Sequence, residues 1–271
     1  MPGLRSTLIA LNTVDRLVRG DFFHTVSLEE VLADLRGFPP EWPVSGLGTT
    51  NWYRRNGEVV IEGTAGAPSF MWADPGAGSP GRILDLLAER PDPADELTTP
   101  SMTDDEREPR MPFAAIGVGD PERAQGIEFA AGDDLHAVVQ RACDDANIGL
   151  AALRIEGVFP SVDYEEASHI PLGGAAGFDA LGKEHGRADG ERWLVSGLFA
   201  ANPTVQNIVS VLGRPVHLHG RSLDSNVGGH IASATSGPTL NAELWPLQDL
   251  VMRIRDLDTA WLPVRDLPAE R

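Results

Sequence analysis

The chain has 271 residues, 42% of them hydrophobic, which is enough for a sizeable core as one large domain or two smaller ones. A formal net charge of −18 repels phosphate backbones and anionic lipid surfaces, so neither nucleic acid nor a membrane is an expected partner. No apolar run approaches the roughly 18 residues of a membrane span, the first residues lack a signal peptide's cationic and long apolar regions, and the single Cys143 excludes an internal disulfide and a cysteine metal cluster; a cytoplasmic protein is expected.

Residues 6–18 read as a helix, or as a strand running into one. Ser27-Leu-Glu-Glu30 has capping-box spacing and opens an amphipathic helix over 27–36, with Leu28, Val31, Leu32 and Leu35 on one face; Gly37 ends it. Segments 44–51 and 58–62 read as strands joined by Arg54-Arg55-Asn56-Gly57, whose Asn-Gly pair signals a hairpin turn. Residues 72–110 carry ten acidic, four basic and six proline residues, and read as a loop or insertion with a short helix at 82–90. Segment 113–118 reads as a strand. Segment 133–147 reads as a helix, with acidic residues at its start as the helix dipole favours. A strong strand follows at 149–159.

Further strands are expected at 193–200, 208–212, 215–221, 230–234, 239–244 and 250–256. Helices crowd into the first half and strands into the second. That pattern predicts an α/β chain of the α+β type, with mixed and antiparallel sheets and few helices, not a regular βαβ repeat. The expected division is an N-terminal α/β domain over 1–150, with its acidic, proline-rich insertion at 72–110, and a mainly β C-terminal domain over 151–271.

The stretch from Arg214 to Ala234 holds three of the seven histidines. His217 and His219 lie two apart in a strand-like segment, so both rings point to one face. His230 follows Gly228-Gly229 and opens a second apolar run. If the two runs pair as a hairpin, the three imidazoles converge as an open zinc site, with a fourth position free for water or substrate. A His-X-His pair alone also suits an ordinary surface strand; the third histidine is what favours a metal. Imidazole also suits iron, copper, nickel and cobalt. His24, His136, His169 and His185 show no ligand spacing.

Other residues admit two readings each. Arg154 sits among apolar neighbours and needs an anion, either a substrate carboxylate or an ion-pair partner such as Glu156. Glu58 is either a solvated strand-end carboxylate or a group that moves protons beside the metal. Thr49 is either an ordinary strand residue or a hydroxyl that contacts ligand. Gly46-Leu-Gly48 lacks the third glycine of a dinucleotide fingerprint, and Val195-Ser-Gly197 lacks a nucleophile elbow.

Four blocks in order resemble α-acetolactate decarboxylase. Arg19-Gly-Asp-Phe-Phe with Ser27-Leu-Glu-Glu-Val-Leu is similar to the family's early "GDF…LL" region, and Gly48-Thr49 with Asn56-Gly57-Glu58 to its "GTF…LDGE" hairpin. Ala152-Leu-Arg-Ile-Glu-Gly-Val-Phe159 resembles "YAIRIDGLF", and Val216-His-Leu-His219 through Gly228-Gly-His230 resembles the "HLHF…GGH" metal block. The blocks span most of the chain, and the last two are the specific ones.

The resemblance implies a sheet-rich two-domain fold, homodimeric, with Zn²⁺ in the cleft between domains. It implies His217, His219 and His230 as ligands, Glu58 as the active-site carboxylate, Arg154 as the cation near the reacting carbon and Thr49 as a hydroxyl contact. Glu270 would be the family's glutamate from the C-terminal tail. The implied reaction is decarboxylation of the β-keto acid (S)-2-acetolactate to (R)-acetoin and CO₂. Gly220-Arg221 stands where the family carries an aromatic, and bears on substrate more than on metal. Two rivals follow: the same fold and metal acting on a larger β-keto or α-hydroxy acid as decarboxylase, lyase or cyclase, or a zinc-stapled or DNA-associated binding domain, against which the −18 charge argues.

Overall fold

The computed structural model describes residues 4–18, 25–52, 55–74, 82–88, 108–167, 183–211 and 213–254. The chain opens with β1 (Thr7–Leu11), α1 (Val14–Val18), β2 (Val26–Ser27) and α2 (Leu28–Leu35). The expected capping box forms at α2: the Ser27 hydroxyl accepts from the Glu30 backbone N–H, and the Glu30 carboxylate accepts from the Ser27 N–H. Its apolar face then buries Leu28, Val31 and Leu35. Next come β3 (Pro43–Trp52), β4 (Arg55–Thr64), β5 (Ala67–Asp74), β6 (Arg82–Asp85) and β7 (Arg110–Val118). The second part holds β8 (Gln125–Gly126), α3 (Leu135–Asp145), β9 (Leu150–Ala167), β10 (Lys183–Ala200), α4 (Pro203–Val209), β11 (Val216–Ser222), β12 (Gly228–Thr235), β13 (Leu240–Pro246) and β14 (Asp249–Arg253). Among the described residues no helix is long and apolar enough to cross a membrane.

Two sheets organise these strands. The first runs β14-β1-β7-β3-β4-β5-β6, with β2 against β7. It is antiparallel except where β14 lies parallel to β1. The second runs β10-β11-β12-β9-β13-β8, and β9 also pairs with β10, so β9, β10, β11 and β12 close on themselves. One core gathers Phe159, Trp193, Leu218 and Ile231 with Leu135 and Val139 of α3. A second core lies between the sheets, where Leu47 and Phe113 meet Ala152, Leu198 and Trp245. The chain crosses between the sheets twice: β8 and α3 precede residue 150 yet lie with the second sheet, and β14 follows it yet completes the first.

The mixed and antiparallel architecture with few helices matches the expectation from sequence. Several local readings change. Asn56 and Gly57 are not a turn; they lie inside β4, paired with Asn51 and Thr50, and the residues joining β3 to β4 are 53–54, outside the described residues. Gly57 is required there by packing, because a Cβ would stand 2.1 Å from the Trp72 indole nitrogen. Strand β5 continues to Asp74, past the expected start of the insertion, and of the short helix expected at 82–90 residues 82–85 are instead strand β6, followed by a turn at 86–88, with 89–90 outside the described residues. Strand pairing of Met71–Asp74 with Arg82–Asp85 overrides the helical propensity of that segment. Of the strand expected at 208–212, Ile208 and Val209 instead end helix α4, and residue 212 lies outside the described residues; Asn202 caps the helix by accepting from the Thr204 N–H, and Pro203 occupies its first turn. Most of the expected insertion and Glu270 lie outside the described residues.

Candidate metal centre

The two histidine-bearing segments pair as β11 and β12, and His219 lies directly opposite His230. His217 is two residues earlier on β11 and so shares that face. The three ring centroids are 5.0, 5.1 and 5.7 Å apart, and one nitrogen from each ring lies within 4.8 Å of the others. The glycines before His230 permit this. Gly229 has φ +152°, and a Cβ there would stand 2.4 Å from the Glu165 carbonyl oxygen of β9. Only glycine lets β12 close against both β11 and β9.

Two of the three rings, both on β11, are held from outside the hairpin. His217 Nδ1 lies 2.6 Å from the Val209 carbonyl at the end of α4, and His219 Nδ1 lies 3.0 Å from the Val59 carbonyl of β4. A carbonyl only accepts, so Nδ1 carries the proton in both rings and Nε2 keeps its lone pair. Burial pushes His217 down to about 4. Burial first, then the neighbouring imidazoles, holds His219 and His230 well below the ordinary histidine range. Three neutral imidazoles, two of them oriented by carbonyls, are the donor set of an open divalent-metal site, so the residues present fit such an ion.

The first sheet faces this triad with a carboxyl and a hydroxyl. Thr49 on β3 and Glu58 on β4 are direct cross-strand partners. Glu58 Oε2 lies 3.5 Å from His219 Nε2. Burial pushes the Glu58 carboxyl up to about 8, with Lys183 opposing and Glu165 and Glu166 adding to the rise. Thr49 is buried, and its hydroxyl has no hydrogen-bond partner among the described residues. Glu58, Thr49 and the three histidines border one cavity of about 590 Å³.

That cavity also meets His136, Gln140, Glu165, Glu166 and Lys183, which sequence reasoning did not single out. His136 and Gln140 are four apart on α3, so one helical face presents both, and that spacing was a usable signal. Glu165 and Glu166 gave none, because nothing in their neighbourhood foretold that β9 runs on past Phe159.

Arg154 is placed differently. It does not border the cavity. Its Nη2 donates to Glu156 Oε2 at 3.1 Å, and its Nε stands 4.0 Å from Glu62 Oε2. Arg154 and His219 are both cross-strand partners of Ser196, so the guanidinium springs from the ligand-bearing face, two strands away. Arg221 donates to Glu62 Oε1 through Nη2 at 2.7 Å and Nε at 3.2 Å, and does not border the cavity either. Gly220 packs against Ile231 and Val195. The departure at 220–221 thus serves packing and an ion pair.

No family model and no curated protein sequence matches the chain. Solved structures do. α-Acetolactate decarboxylase from Bacillus subtilis strain 168 aligns with TM-score 0.64 and 16% identity, over 93% of this chain and 91% of that one. Acetolactate decarboxylase from Bacillus subtilis subspecies spizizenii aligns with TM-score 0.62 and 16% identity, over 93% and 91%. A Staphylococcus aureus protein of unknown function, similar to α-acetolactate decarboxylase, aligns with TM-score 0.60 and 13% identity, over 92% and 89%. The chain therefore has the fold of the α-acetolactate decarboxylases along nearly its whole length.

Proposed function

We propose that this protein is a zinc-dependent decarboxylase that releases CO₂ from a small α-hydroxy-β-keto acid, with (S)-2-acetolactate to (R)-acetoin as the reference reaction. The observation that carries the reading is the convergence of three neutral imidazoles, two of them held by backbone carbonyls, on a cavity whose other side holds a buried carboxyl. His217, His219 and His230 hold the ion. Bound there, zinc supplies Lewis acidity for the electron pair that CO₂ leaves behind.

The remaining steps belong to the chain's own residues. Decarboxylation of a β-keto acid leaves a carbon that must be reprotonated on one face. Glu58, whose carboxyl burial pushes up, stands within reach of the centre to carry that proton. The Thr49 hydroxyl is available to a substrate oxygen. Burial of the histidines and Glu58 lowers the local polarity, and charges interact more strongly there than in bulk water. Arg154 is assigned to the departing carboxylate, a role that requires its guanidinium to turn from Glu156 towards the cavity. Glu270 is the candidate for a further carboxylate from the tail.

The test is to incubate zinc-loaded protein with racemic acetolactate and follow CO₂ and acetoin. The expected result is acetoin from one enantiomer only, abolished by a chelator and restored by zinc. No CO₂ release from acetolactate or from its longer-chain homologues rejects the reading.

A further inference from the structure

One wall of the cavity is unlike the rest. Helix α1 contributes Val14, Leu17 and Val18, three and four residues apart and so on one helical face. Phe113 of β7, in the same core, and Val211 just after α4 also border the cavity, with Ser210 and Arg214 as polar neighbours of Val211. Val14, Leu17 and Phe113 are buried in the core between the sheets, whereas Val211 is 48% exposed at the rim. Apolar side chains thus border the cavity both in the core, at Thr49's partner Phe113, and at the solvent rim.

The cavity is also larger than the reference substrate needs. Its volume of about 590 Å³ falls within the roughly 300–1,000 Å³ of pockets that enclose drug-sized ligands. Acetolactate carries only methyl groups around its reacting carbons. Water filling the remaining volume would face α1 without hydrogen-bond partners, so an apolar substituent gains free energy by displacing it.

We infer that the α1 wall receives an apolar arm of the substrate, which makes the preferred substrate an α-hydroxy-β-keto acid whose alkyl substituent is longer than methyl. The acid head depends on the decarboxylase reading; the arm depends on the cavity.

Linear alkyl hydroxamates separate the two. Their head group needs only an open coordination position, and their tail tests the wall. Acetohydroxamate, hexanohydroxamate and octanohydroxamate are titrated calorimetrically into protein that metal analysis shows to hold zinc. The expected result is an affinity that rises about fourfold for each methylene that becomes buried. A flat series with acetohydroxamate bound overturns the apolar arm and leaves the metal reading standing. Failure of every hydroxamate to bind the zinc-loaded protein overturns both. Leu17→Trp should lower octanohydroxamate affinity far more than acetohydroxamate affinity; equal effects overturn the placement on α1. Val18→Phe gives the same comparison should Leu17→Trp not fold.

Discussion

The two sheets meet the cavity with opposite chemistry. Beside Glu165 and Glu166 of β9 and Lys183 of β10, the second sheet presents three bases, all on β11 and β12, neighbouring strands of a closed set with a buried core behind them. The first presents an acid and a hydroxyl, paired across β3 and β4. The same physical agent, burial, acts on both: it pushes His217 down to about 4 and Glu58 up to about 8. The charged form is thereby disfavoured in the imidazoles and in the Glu58 carboxyl alike, which leaves the nitrogen lone pairs free for a divalent ion. The difference separates holding from reacting. Loss of a base should remove the metal; loss of the acid should leave the metal and remove the proton.

The largest effect is expected from His230→Ala. Removing one ligand of three should abolish zinc binding and turnover together, measured by metal analysis and CO₂ release. Retention of full zinc with full rate would break the assignment of the second sheet as the holding side.

Glu58→Gln sharpens the other side. Zinc should remain, and the rate should fall by roughly 10²–10⁴ as expected for loss of a positioned proton carrier. The same variant has a signature in stability. Glu58 has its folded value raised from 4.5 to about 8, so the native state binds the proton more tightly than the unfolded chain. In chelator-treated protein the wild type should therefore lose stability relative to Glu58→Gln as pH rises from about 4.5 to about 8, and no further above that. Parallel pH profiles in chemical denaturation would mean that Glu58 is not buried as described.

Much of this arrangement was legible in the sequence. The His-X-His and Gly-Gly-His spacing foretold that the three imidazoles converge, because strand periodicity fixes which side chains share a face. What the sequence hid were the braces. Val209 and Val59 act through backbone carbonyls, and no side-chain pattern records them. Segment 208–212 read as a strand because Ile and Val favour strands, yet Asn202-Pro203 was an adequate start signal for α4. The Asn56-Gly57 pair misled for the opposite reason: a turn signature served a close approach of Trp72 to the backbone.

Arg154→Ala decides between the two readings of that residue. In the catalytic reading it keeps zinc and slows roughly a hundredfold, the scale for losing a charge aimed at the reacting group. If the guanidinium serves only its ion pairs, a half-exposed one with Glu156 and a longer one with Glu62, which Arg221 also binds, stability should change modestly and turnover not at all.

The smallest effect expected is that of Asn202→Ala. It removes the cap of α4, costs about 1 kcal/mol of stability and loosens the carbonyl that orients His217. Zinc affinity should drop by up to roughly tenfold; an unchanged affinity would mean that the triad is oriented without α4.

The most direct measurement is calorimetric titration of the chelator-treated wild-type chain with zinc, alongside His219→Ala. The account predicts one tightly bound ion per wild-type chain and none in the variant. A wild-type chain that binds no zinc, or a variant that binds it equally well, would contradict it.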